Sequence, residues 1–183
     1  MELEKIKMTV DQYMSVVNII ETFKEDDAII RELVKLFHGD VTLPINEAKM
    51  LLNKVKITLM QEETKFVQRF KYNGVEYGFI PNLNDISTGE YLDLDNLMKN
   101  PNQNLHRIMA VLYRPVTNSK GKLYNIEEYQ GSLKYAEIMK NVDHEIIKGA
   151  LFFFTQLGME LLQSSNTYLN QQVNLMKKIT TTS

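Results

Sequence analysis

Cysteine and tryptophan are both absent from this chain of 183 residues. Without a thiol there is no disulfide framework, no thiolate nucleophile and no zinc–thiolate site. A dominant charge is missing too. Lys and Arg number 21 against 23 Asp and Glu, leaving −2, so there is no basic surplus of the kind that wholesale phosphate binding requires, and direct nucleic-acid binding is not favoured. Apolar runs are short: the longest lies near Ala150 to Phe154, far below the length that spans a bilayer. The opening MELEKIKMTV lacks the apolar centre of a signal peptide, so no membrane partner is expected. What is present is an ordinary globular composition, 44% hydrophobic and 24% charged, enough to bury a core in one domain with an appended arm.

Helical periodicity fills the first third. Thr9 with Gln12 forms the pattern of a capping box, followed by Val10, Tyr13, Val17 and Ile20 on one face. Asp26 or Asp27 can cap a second helix that buries Ile30, Leu33 and Phe37, with Gly39 at its end. Pro44 suits the start of a third helix, whose buried face is Ala48, Leu51 or Leu52, Val55 and Leu59. Short connections make these three near neighbours.

The middle is punctuated most densely. Phe66, Val67, Phe70 and Tyr72 face Val75, Tyr77, Phe79 and Ile80 across Asn73-Gly74. Asn-Gly between such runs predicts a hairpin over about 66–80, because both central residues of a type I′ turn need positive φ. Pro81 lacks the donor a ladder needs and ends the second strand. Ser87 and Glu90 form a second capping box before Tyr91, Leu94, Leu97 and Met98. Leu105, Ile108, Met109 and Leu112 mark another helix, which Arg114-Pro115 stops. VTNSKGKLYNIEEYQG then reads as an exposed loop, pinned by Tyr124, Ile126 and Tyr129. Ser132 can cap a helix with Tyr135, Ala136 and Met139, and Asp143 caps the last one, with Ile147, Ala150, Phe154, Leu157 and Leu161 on one face. If continuous from Asp143 to Lys178, that last helix is on the order of 50 Å long.

The fold class expected is therefore mainly α: a helical domain over 1–162 with one two-stranded hairpin and a long C-terminal helix, and a polar arm over 163–183. QSSNTYLNQQVNLM, residues 163–176, contains no charged residue. An uncharged polar stretch suits burial against another chain or the lining of a passage, and it equally suits a helix that frays into a polar tail. The candidate partner contacts are Phe152, Phe153, Tyr168, Leu169, Val173 and Met176.

NGVEYGFIPNLNDISTGEYLDLD (73–95), IMAVLYRPV (108–116) and GALFFFTQLGMELL (149–162) together resemble small proteins of tailed bacteriophages that infect Bacteroidetes, crAss-like phages included. The likeness runs from about Phe66 to about Leu162. Those proteins belong to structural and tail-assembly genes. The resemblance implies a protein of the virion's portal or tail region, present in several copies or as a homo-oligomer, with portal, ring or tail proteins as partners and the host cytoplasm as its place of assembly. It could be a ring subunit or internally packaged cargo. The alternative is a tail-assembly chaperone that leaves the particle. The resemblance carries no catalytic motif.

The residues themselves name no chemistry. His38, His106 and His144 stand apart from each other and from any HExxH pattern, and they read as surface or capping residues. Asp85, Glu90, Asp93 and Asp95 are acids near a helix start, favourable to its dipole and unlike a calcium loop. Gly74, Gly78 and Gly89 make no phosphate-cradling loop. Lys120 and Lys122 around Gly121 are weak evidence for a nucleic-acid contact. No catalytic, cofactor-binding or metal residue is assigned, and a small enzyme of unrecognised type ranks far behind the two phage readings.

Overall fold

In the computed structural model, residues 5–60 and 65–153 are described. Thr9 caps α1 (Val10–Thr22): its hydroxyl accepts from Gln12 N, and the Gln12 side chain accepts from Thr9 N. The helix buries Val10 and Val16. α2 (Asp26–His38) buries Ile29, Ile30 and Leu33, and it ends on Gly39 at φ 73, a left-handed conformation that glycine adopts without penalty. Its cap is Glu25, with no side-chain bond, rather than Asp26 or Asp27. α3 (Ile45–Met60) follows Pro44 and buries Ala48, Leu51, Leu52 and Val55. These helices share one apolar cluster with Met8.

The second cluster is built around a sheet. β1 (Arg69–Tyr72) and β2 (Val75–Phe79) pair across Asn73-Gly74, whose φ values of 47 and 80 are both positive. A 3-10 turn (Leu83–Asp85) leads into α4 (Thr88–Leu97), capped by Ser87 and Glu90 as the sequence predicts. α5 (Pro101–Leu112) is the central helix. Leu105 and every residue from Ile108 to Leu112 are buried. It passes without a loop into β3 (Tyr113–Lys120), which pairs with β2, and β4 (Leu123–Ile126) pairs with β3.

The expectation of a mainly α fold with a single hairpin and a long C-terminal helix is thus overturned. The sheet has four antiparallel strands in the order β1-β2-β3-β4, and the chain is an α+β fold. The stretch read as a helix stop and an exposed loop is a second hairpin. Pro115 is tolerated for a geometric reason. Ile80 N donates to Leu112 O, so Phe79 and Tyr113 face each other as a non-hydrogen-bonded pair. Antiparallel alternation makes Tyr77 and Pro115 non-bonded as well. The donor that proline lacks would point away from β2. Extended backbone is also what Arg114 prefers before a proline. At the other end, Gly121 takes φ 62 at the first position of the two-residue turn, where a II′ hairpin needs glycine.

α6 (Ala136–Met139) is a single short turn of helix after Tyr135, so Ser132 does not cap it. The last helix, α7, begins at 144 after Asp143, whose Oδ1 accepts from Glu145 N at 3.0 Å. It is described through 153. The 163–183 arm and Tyr168, Leu169, Val173 and Met176 lie outside the described residues. The N-terminal segment ties α7 to α1: Thr9 bridges Asp143, Val10 N donates to Val142 O, and His144 N donates to Met8 O. Tyr13 on α1 packs against both apolar clusters and joins them.

Candidate partner-binding surfaces

The charged residues of the middle stretch do not form an open site. The cap that starts α4 turns Glu90 inward, where it meets Arg114 of β3 at 2.5 Å; both side chains are buried. Burial alone would raise the Glu90 carboxyl. Hydrogen bonds from Ser87 and Arg114, with the Arg114 charge, outweigh it and hold the group below the usual carboxylate range. Arg114 also donates to Glu127 O at 2.7 Å and Val111 O at 3.0 Å, and its guanidinium lies over the Tyr129 ring. Tyr129 donates to Asp93, which also accepts from Ser132 N, and Ser132 Oγ accepts from Arg107. The Tyr129 bond lowers Asp93, while burial and that carboxylate push the Tyr129 hydroxyl up. Each acid is committed to donors within the fold. Glu90, through Arg114, and Asp93 therefore anchor the 127–132 segment on α4, α5 and β3, a role beyond the dipole interaction expected of them, whereas Asp85 accepts from Asn82 and Asp95 pairs with Lys99 at 3.6 Å.

The histidines separate. His38 lines a surface cleft at the end of α2. His106 is lowered by burial, with Lys140 adding to the effect. His144, expected as a surface or capping residue, is not at the surface. It is 1% exposed, stacked on Tyr13, with Nδ1 3.1 Å from Met8 O. Among the described residues no group of three metal-binding side chains converges, and no helix is long and apolar enough to cross a membrane.

The surface holds more that could meet a partner. Of the two candidate contacts in the described residues, Phe152 is 55% exposed and Phe153 is 36% exposed. Phe153 already has partners of its own. It stacks on Phe66 at 4.3 Å and meets Phe79 edge-on, closing one side of a groove of about 300 Å³ that continues over Ile80, Pro81 and Leu83. Phe152 is the freer of the pair. Gly149, one turn earlier, lies where a β-carbon would overlap the backbone at Lys65, so glycine is what lets α7 approach the segment that leads into β1. Gly78 plays the same part on β2. A β-carbon there would strike the Tyr124 ring, whose hydroxyl reaches Phe79 O at 2.7 Å. Lys120 and Lys122 line a cleft of about 380 Å³ with Asn118, Ser119 and Asn125 at the tip of the second hairpin.

A further surface, which the sequence reading missed, is at the α2–α3 end. Val41 and Ile45 are 56% and 60% exposed, and Met50 is 41% exposed. On α4, Tyr91 and Leu92 are exposed at 60% and 53%. Large apolar side chains grouped in this way at a surface are a mark of contact sites.

No protein-family model, no curated protein and no solved structure matches the chain.

Proposed function

We propose that this chain is a non-enzymatic protein of a tailed-phage particle, in the portal or tail region, that works through contacts with other virion proteins. The sequence resemblance between Phe66 and Leu162 suggests this setting. The observation that carries the contact role is at the chain's C-terminal side: Phe152 stands 55% exposed, and the sequence beyond it holds a stretch, 163–176, without one charge. Exposed aromatic surface continued by uncharged polar sequence suits burial against another protein. The inward pairing of Glu90, Asp93 and Arg114 supports a scaffold role for the acids over an acid–base one. The test is mass spectrometry of purified particles from the phage that encodes the chain. Recovery at constant stoichiometry supports the proposal. Absence from particles, with co-purification of a tail protein from infected cells, identifies an assembly chaperone instead.

A further inference from the structure

The sheet has two edge strands, β1 and β4, and their charges differ. β1 carries Arg69 and Lys71, and the Glu76 carboxylate on β2 is already the partner of Arg69. Laid against another β1, it would set basic side chains against each other. β4 is flanked by charges of opposite sign. Lys122 precedes it and Glu128 follows it, and both are exposed. Neither has an ion-pair or hydrogen-bond partner among the described residues. Glu127, between β4 and Glu128, is held by Lys134 and Tyr135.

The backbone of β4 fixes which of its groups are open. Glu127 N donates to Pro115 O at 2.9 Å, toward β3. Donors and acceptors alternate in direction along an antiparallel strand. Those of Leu123 and Asn125 therefore also point to β3, and those of Tyr124 and Ile126 point away from the sheet. Among the described residues no backbone bond from outside the sheet reaches them. An edge with free donors and acceptors is a template for another strand.

We propose that a second copy of this chain pairs its β4 with this one, antiparallel about a two-fold axis at Asn125, so that the two sheets become one. Only outward-pointing residues can exchange bonds, which limits the register. Matching Tyr124 with Ile126 of the other copy sets Lys122 against Glu128 at both ends of the contact. Matching Tyr124 with itself sets Lys122 against Ile126, and matching Ile126 with itself sets Lys122 against Gln130. The first register alone joins the free charges, and it takes Leu123, 78% exposed, out of open solvent. A strand of another protein could use the same donors, but the chain itself supplies the charge that each end of β4 calls for. Such an isologous contact closes at a dimer. It goes beyond the phage reading and does not depend on it.

The experiment uses the absence of cysteine. A single Asn125→Cys puts one thiol from each copy on the axis, where non-hydrogen-bonded partners stand about 4.5 Å apart at Cα, within disulfide reach. The thiols of Leu123→Cys would lie about 13 Å apart. Under mild oxidation Asn125→Cys should give a linked dimer at least about tenfold faster than Leu123→Cys. Sedimentation velocity up to millimolar concentration should show the wild type as monomer and dimer. Lys122→Glu and Glu128→Lys, each alone, bring like charges together at both ends and should dimerise at least about tenfold more weakly. Mixed, they bring opposite charges together at both ends and should recover the dimer. Circular dichroism melts check that both remain folded. A wild type that stays monomeric or grows past a dimer, a mixture no stronger than its components, or equal cross-linking at the two positions overturns the proposal.

Discussion

Arg114 ties four parts of the chain together. It neutralises Glu90, holds the chain at Glu127 and Val111 and lies over Tyr129. Removing one partner of a buried ion pair leaves the other charge uncompensated, which costs about 3–5 kcal/mol. Glu90→Ala should lose stability on that scale in urea unfolding at neutral pH. The pH dependence follows from the depressed carboxyl. The unfolded chain takes up a proton first as pH falls below the ordinary 4.5, so the contribution of Glu90 is full above that pH and is lost as pH drops through its lower folded value. Glu90→Gln should start less stable and show a shallower acid loss; an unchanged acid limb would assign that loss to other groups. The Ser87–Glu90 cap was legible because it is local, three residues apart. Its partner was not, since Arg114 comes 24 residues later in the numbering and reaches Glu90 only once α5 has folded back. The inward turn of His144 was hidden for the same reason: Met8 and Tyr13 lie at the far end of the chain.

At the scale of the element, the first hairpin could be read from Asn73-Gly74 and its flanking apolar runs. The second could not. β3 is buried at Tyr113 and Arg114 but exposed from Thr117 onward, and its partner β4 is an edge strand. The outer half of β3 faces water on both sides and carries no alternating signal, and β4 is only four residues long, so VTNSKGKLYNI has the composition of a loop. Tyr124 supplies the packing that composition hides, and Gly78 supplies the room for it. The start of α7 offers a sharper comparison. Phe153 stacks on Phe66 and abuts Phe79, whereas Phe152, its neighbour in sequence, is the more exposed. Phe153→Ala should therefore cost about 1–2 kcal/mol in thermal or urea unfolding. Phe152→Ala should stay within about 0.5 kcal/mol yet weaken retention in particles. Equal stability losses would place both rings in the core and remove Phe152 from the contact surface.

For the molecule as a whole, the described residues already contain two apolar clusters joined through Tyr13, and α7 enters the larger one with Ile147 and Ala150 fully buried. Periodicity exposed the helices of both clusters. It gave no view of the sheet they flank, since that depends on how distant segments meet. The uncharged stretch 163–176 is a fact of the sequence, and contact with other virion proteins is the use proposed for it. The most direct measurement compares particles of a phage encoding the full chain with particles of one encoding a chain that stops after Leu162, by quantitative mass spectrometry, beside thermal melts of the two purified proteins. The expected result is two chains that melt within a few degrees of each other, with only the full-length one in the particles. A shortened chain that folds and is incorporated at the full-length level, or a full-length chain absent from particles, would contradict it.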